Sequence, residues 1–175
     1  MSGKIFVISD PHFGHHRVLE FGKRPFKDVN EMAENIKYLW NHTVGKKDVV
    51  LVLGDWGWGK ASYEILDELN GIKRIILGNH DQCDPELLGR YFHSVHGSYQ
   101  RSDILFTHIP IIMDSFHNYE WVVHGHIHDS ADNVKDDRYY NANMDALKYY
   151  GPVSLDEIQA VLRQRKLERM YASNS

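Results

Sequence analysis

The sequence predicts an α/β fold with a second β-sheet packed on the first, and two observations carry that expectation. Through the first half, short apolar β-branched runs alternate with stretches of helical periodicity, the pattern of βαβ units and a largely parallel sheet. Beyond about Phe92 the texture changes to short apolar or alternating runs separated by turn signals, which calls for a strand-rich second half.

Taken in order, Lys4 to Ser9 reads as a buried strand ending in Asp10-Pro11-His12, where the following proline biases Asp10 towards extended geometry. Met32, Ile36, Leu39, Trp40 and Val44 recur at helical spacing after Asp28, which with Glu31 resembles a capping box. Asp48 to Leu53 is the next apolar strand and runs into Gly54-Asp55. Tyr63, Ile65, Leu66 and Leu69 suggest a short helix, and Ile72 to Leu77 is a strand ending in Gly78-Asn79-His80-Asp81. Further strands are expected at His93 to Val95, Ile104 to Thr107, Trp121 to Val123 and Arg138 to Met144. Ser154 with Glu157 opens a final helix whose buried side is read as Ile158, Val161, Leu162 and Leu167.

A chain of 175 residues with 42% hydrophobic composition supports one core, so a single domain over 1–169 is expected, with 170–175 a frayed tail. The lone Cys83 excludes an internal disulfide. The opening MSGKIFVISD lacks secretory features, so a cytoplasmic location is expected. No apolar run approaches the roughly 20 residues that span a bilayer, so no membrane association is expected. The net charge of −4 disfavours broad attraction to nucleic acid, and any nucleotide must be caught locally. Histidine is abundant, at 12 residues against 20 Lys plus Arg, and it is both the commonest metal ligand and the usual acid or base near neutrality.

The informative feature is where metal-binding residue types fall. Asp10 and His12 follow the first strand, Asp55 the second, Asn79 and His80 the third. His108 follows Ile104 to Thr107, and His126 and His128 follow Trp121 to Val123. In open α/β sheets ligands bind beyond the carboxyl ends of strands, where residues distant in sequence meet. Singly, Asp10, Asp55 and Asn79 read as turn formers, His108 as a capping or partly buried histidine, and His126 and His128 as outward residues of one strand. Those readings do not explain why five strand ends acquire such residues together.

The ordered set Asp10-x-His12, Gly54-Asp55, Gly78-Asn79-His80-Asp81, His108 and Gly125-His126-x-His128 resembles the signature of the calcineurin-like metallophosphoesterases over about three-quarters of the chain. The resemblance implies a four-layer α-β-β-α sandwich of two mixed β-sheets flanked by helices. It also implies that Asp10, His12 and His128 bind one metal, that Asn79, His108 and His126 bind a second, and that Asp55 bridges them. Two ions about 3.5–4 Å apart then share a hydroxide for in-line attack on phosphorus. Manganese is the first expectation; Fe, Zn, Ni and Co suit the same thiolate-free ligands, and Mg remains an option. His80 is the implied general acid for the leaving alcohol, with Asp81 orienting it. His15 and Arg24, between the first strand and first helix, are expected to contact phosphate or leaving group, set against an ordinary role as loop residues. His16 reads as surface. Trp56 and Trp58 offer either a stacking wall or core packing.

The segment HFGHHRVLEFGKRPF and the Asn143-Met144-Asp145 region also resemble compact bacterial and phage members, which have no large cap domain. Hydrolysis of a phosphodiester is therefore expected, on a nucleotide-like or other small phosphate ester. A phosphomonoesterase, a protein phosphatase and a catalytically silent scaffold are the alternatives. A nuclease would show a basic track, which the acidic balance disfavours.

Overall fold

The chain builds its elements in the expected alternation. The structure is a computed structural model and describes residues 3–82, 84–113, 118–130, 134 and 136–172; Cys83 lies outside them. β1 (Ile5–Ile8) leads through a one-turn α1 (Val18–Phe21) to α2 (Val29–Thr43). Asp28 caps α2, its carboxylate accepting from the N–H groups of Asn30 and Glu31. Glu31 reaches back to the N–H of Lys27 rather than that of Asp28, so the box closes one residue early. β2 (Val49–Val52) follows. α3 (Lys60–Glu64) passes into a 3₁₀ turn at Ile65–Glu68, and then come β3 (Ile72–Ile76) and α4 (Pro85–Tyr91). The second half supplies β4 (Ser94–His96), β5 (Tyr99–Arg101), β6 (Ile104–Phe106), β7 (Trp121–His124) and β8 (Tyr139–Asn141). It ends with α5 (Met144–Leu147), β9 (Val153–Ser154) and α6 (Leu155–Ala172).

Two mixed sheets result. The first has the order β4-β3-β2-β1-β9, parallel except for the antiparallel edge strand β9; the second has the order β5-β6-β7-β8, parallel except for β5. Alternation along the strands sorts residues between two cores. Phe6, Ile8, Val50 and Val52 face Met32, Ile36 and Trp40 of α2, whereas Val7, Leu51 and Leu53 face Phe106 and Val123 of the second sheet and Ala142 just after β8. A sheet buried on both faces needs unbroken apolar strands, which is why VVLVL shows no polar alternation. α6 closes the second core with Leu155, Ile158 and Leu162. This is the expected pair of mixed sheets flanked by helices.

Several boundaries differ from expectation for identifiable reasons. The run Arg138 to Met144 is not one strand: β8 stops at Asn141, and Asn143 caps α5 by accepting the N–H of Asp145 at 2.8 Å. On α6, Val161 is 39% exposed and Leu167 50% exposed, so the buried stripe is narrower than read and includes Leu155 instead. The helix continues through Met170 to Ala172, past the start of the expected frayed tail, and 173–175 lie outside the described residues. The hairpin partner β5 and the edge strand β9 are too short to announce themselves by periodicity. Among the described residues no helix is long and apolar enough to cross a membrane.

Ser154 and Glu157 do form a reciprocal box: the Ser154 hydroxyl accepts the N–H of Glu157 at 3.2 Å, and Glu157 Oε2 accepts the N–H of Ser154 at 3.3 Å. Ser154→Ala is expected to lower unfolding free energy by about 1 kcal/mol in urea titration. Metal affinity measured on the same sample should stay unchanged, because the helix start is remote from the strand ends described next.

Candidate metal centre

The loops after β1 and β2 continue the parallel pairing of their strands. Asp10 N–H donates to Gly54 O at 3.2 Å, His12 N–H to Asp55 O at 3.0 Å, Phe13 N–H to Trp56 O at 3.0 Å and Trp58 N–H to Phe13 O at 2.7 Å. The loop after β3 is fastened to them by Asp81. Its buried carboxylate accepts the N–H groups of Asp55 at 2.9 Å, Trp56 at 2.8 Å and Gly78 at 2.7 Å. Burial pushes the Asp81 carboxyl up, against the pull of these amides. His80 N–H then donates to Asp55 Oδ1 at 2.9 Å. Both Asp81 oxygens thus serve the loop backbone, and the orientation of His80 comes through that backbone.

Close approach explains two glycines of the motif. A Cβ on Gly54, whose φ is +85°, would lie 2.6 Å from Gly78 N and 2.7 Å from His108 Nδ1. A Cβ on Gly125 would strike the Ser9 hydroxyl and the Asp10 carboxylate. Eight non-glycine residues adopt positive φ among the described residues, and five of them are Asp10, His12, Asp55, His126 and His128. Asp10, at +57°, is therefore left-handed rather than extended. Tight bends after the strands aim these side chains inward, and backbone strain of this kind concentrates at functional sites.

Two groups of ligand atoms result, Asp10 with His12 and His128, and Asp55 with His108 and His126, each within 4.8 Å. Asn79 joins the second, its Oδ1 3.0 Å from His108 Nε2. Asp55 lies between the groups, with Oδ2 3.6 Å from His12 Nε2 and Oδ1 3.5 Å from His108 Nε2.

The donor inventory fits cations. His108 Nδ1 lies 2.8 Å from Leu53 O, so the N–H sits there and Nε2 carries a lone pair. That lone pair faces the oxygens Asn79 Oδ1 and Asp55 Oδ1, with His126 Nδ1 3.2 Å away. His12 Nε2 is buried with no hydrogen-bond partner. A bound cation answers all of these atoms together, and their imidazole, carboxylate and amide chemistry suits a first-row divalent ion. Burial also holds His12 neutral, its pKa lowered to about 2 with Arg24 and His128 adding to the effect, and burial pushes Asp10 up to about 6 against the opposing influence of His108.

Behind the first group lies a buried ion pair that the sequence reading did not assign. His128 Nδ1 donates to Asp145 Oδ2 at 2.6 Å, which turns Nε2 towards Asp10 and His12. Asp145 also binds Arg24, whose Nε donates at 2.7 Å and whose second nitrogen donates at 3.1 Å. The same guanidinium donates to Asp10 O at 2.7 Å and Pro11 O at 2.8 Å. Burial opposes ionisation of Asp145, yet the bonds from His128 and Arg24 outweigh it and hold the carboxyl below its usual range. The expected substrate role of Arg24 is thereby corrected: its side chain is fully buried and its donors serve Asp145 and the Asp10-Pro11 backbone. Asn143, a capping residue type two positions before Asp145, was the available signal in the sequence.

The other expected residues divide. His15 is half-buried, with its ring 5.5 Å from that of His12 and 6.3 Å from that of His80. His16 is exposed. Trp56 belongs to the core beside Phe13 and Trp40, whereas Trp58 is exposed and stacks on His15. Phe21, not singled out in the sequence, lies edge-on to His128.

Asp145→Asn is expected to weaken metal binding at the Asp10 group by roughly 10- to 100-fold, read by calorimetry of the metal-free protein, while binding at the second group persists. Equal loss at both groups would contradict the asymmetry described. The metal-free fold favours protonated Asp10, so its linked stability falls as pH rises from its ordinary 3.8 to about 6. A cation reverses that preference. The rise in Tm on adding Mn²⁺ should therefore grow between pH 5 and 7, and Asp10→Asn should flatten the trend.

Comparison with known proteins agrees with this geometry. The family model described as calcineurin-like phosphoesterase matches residues 3–166. A protein of Methanocaldococcus jannaschii, named as uncharacterized, is 31% identical over 176 residues, covering 95% of each chain. The gene 66 protein of Mycobacterium phage L5 is 28% identical over 161 residues, covering 70% of this chain and 76% of that one. A crystal structure of a protein of unknown function from Aquifex aeolicus shares the fold with a TM-score of 0.71. It is 23% identical and covers 91% of this chain and 99% of that one.

Proposed function

Because this chain belongs to the calcineurin-like phosphoesterase family and is a metal-dependent phosphoesterase, we propose that it cleaves small, nucleotide-like phosphodiesters in the cytoplasm. Asp10, His12 and His128 hold one divalent ion in this reading, Asn79, His108 and His126 hold the other, and Asp55 bridges. The observation that carries it is the placement of Asp55, whose two oxygens face the two groups separately. Manganese is the ion we favour.

When bound, two divalent ions supply positive charge for the phosphate oxygens and lower the pKa of an attacking water. The chain's own residues do the rest. His80, exposed at the mouth of the site and fixed through its N–H to Asp55, holds the proton that the leaving oxygen takes. Asp81 keeps the loops of Asp55 and His80 in register. Two features favour a diester. Asn79 and His80 are both exposed, which leaves room for a second substituent on phosphorus. Arg24 is turned away, so the additional negative charge of a monoester lacks the guanidinium the sequence suggested. A silent scaffold is disfavoured because each ligand position and His80 are filled by competent residues.

Metal-free protein given Mn²⁺ should hydrolyse bis-p-nitrophenyl phosphate faster than p-nitrophenyl phosphate. His80→Ala should slow turnover by about 10²- to 10⁴-fold while still binding two Mn²⁺. Asp55→Asn should lose turnover together with part of the metal. Retention of full activity by Asp55→Asn would overturn the bridging assignment; loss of a metal from His80→Ala would overturn the acid assignment.

A further inference from the structure

The mouth of the centre has an aromatic side. The chain holds four tryptophans, and three of them, Trp40, Trp56 and Trp121, are buried, whereas Trp58 is 60% exposed. Trp58 is not a loose surface residue: its N–H is bonded to Phe13 O in the paired loops after β1 and β2. Its ring stacks on that of His15 at 5.5 Å with planes 22° apart, and lies 6.3 Å from the ring of His80. His15 in turn touches Phe21 at 5.7 Å, and Phe21, 48% exposed, stands edge-on to His12 and His128. Two large apolar rings that each contact His15 are thus left partly facing solvent, adjoining otherwise polar chemistry. Exposed aromatic surface continuous with a polar site is the usual makeup of a subsite that orients the apolar part of a ligand.

Position decides which part of the substrate meets it. The leaving oxygen must come within hydrogen-bond reach of His80, and the carbon it carries then projects beyond the imidazole, where Trp58 lies one ring contact away. We propose that Trp58, with His15 and Phe21, forms the subsite for a planar aromatic ring carried by the alcohol that departs beside His80. This deepens the phosphoesterase reading and rests on it for the direction of the leaving group. Ring stacking tolerates many planar groups, so the shared chemistry is the aromatic face, presented by a nucleobase or by an aryl group.

The test compares paired ligands on Mn²⁺-loaded protein: AMP against ribose 5-phosphate, and phenylphosphonate against methylphosphonate, which have no ester bond to cleave. Affinity is read from competition with bis-p-nitrophenyl phosphate. Tryptophan fluorescence is read in parallel, with phosphate release followed so that hydrolysis of AMP is not mistaken for weak binding. The aromatic member of at least one pair should bind on the order of tenfold more tightly. That preference should vanish in Trp58→Ala and return in Trp58→Phe. AMP should quench emission of the wild type and leave the remaining, buried tryptophans of Trp58→Phe unchanged. Preference in the first pair alone identifies a nucleobase, and in the second alone an aryl group. Equal affinities within both pairs, or a preference that survives in Trp58→Ala, overturns the proposal. Should fluorescence show the aromatic preference while no phosphate ester is hydrolysed with any metal, the phosphoesterase reading fails and takes with it the assignment of the ring to a departing alcohol, leaving only ring binding at Trp58.

Discussion

Lone pairs that repel one another are held together at the strand ends of this protein, and most of its local structure answers that constraint. His12 Nε2, His108 Nε2, Asn79 Oδ1 and the Asp55 oxygens converge in a region where Asp10 and His12 are nearly inaccessible to water. Such an arrangement costs free energy unless a cation occupies it, because the buried His12 Nε2 has no donor and the His108 lone pair is turned towards oxygens. A chain free to relax would turn these side chains outward. The backbone prevents this through the left-handed bends at five ligand positions and through glycines at which a side chain would collide with the neighbouring loop.

Two buried carboxylates hold those bends, and neither belongs to the two ligand groups. Asp81 ties together the loops after β2 and β3 through three backbone amides, while Asp145 joins His128 to Arg24 and, through Arg24, to the backbone of Asp10 and Pro11. The Arg24–Asp145 pair carries no exposed charge and has ample hydrogen bonding, which is the condition under which a buried ion pair offsets its desolvation. Its value here is geometric. Replacing it with apolar side chains could preserve packing, yet would release the His128 tautomer and the turn at Asp10 together. This follows from the branching of one guanidinium to the Asp145 carboxylate and the carbonyls of Asp10 and Pro11.

Legibility in the sequence followed the range of the interactions. β1, β2, β6 and β7 were readable because burial on both faces demands unbroken apolar runs, β3 because its β-branched run ends in the buried pair Ile75 and Ile76, and the ligands were readable because they follow those strands directly. The helix cap at Asp28 and the box at Ser154 were readable because they close within three residues. What escaped depends on partners far away in sequence. Arg24 looked like a phosphate contact because a guanidinium in a loop suggests one, and only folding brings it to Asp145, 121 positions away. Asp145 was hidden behind an apparent strand that Asn143 ends. β5 and β9, of three and two residues, exist only through their neighbours. Trp56 and Trp58 are indistinguishable by type and spacing. Pairing with the β1 loop sends one into the core and presents the other at the site.

The net charge of −4 sets an anionic substrate against an anionic protein, and two of the carboxylates behind that charge, Asp10 and Asp55, stand in the centre itself. Attraction to phosphate therefore does not come from the overall field; it depends on the cations the centre is shaped to hold. Arg24 cannot substitute, being committed to Asp145. Histidines held neutral by burial, such as His12, contribute lone pairs rather than charge. The consequence is a coupling between metal loading and substrate capture: the same event that relieves the crowded acceptors creates the positive site. Selectivity must then come from groups whose attraction is insensitive to that charge. The exposed aromatic edge at Phe21, His15 and Trp58 is such a feature, since stacking acts on the uncharged part of a ligand and leaves the phosphate to the centre.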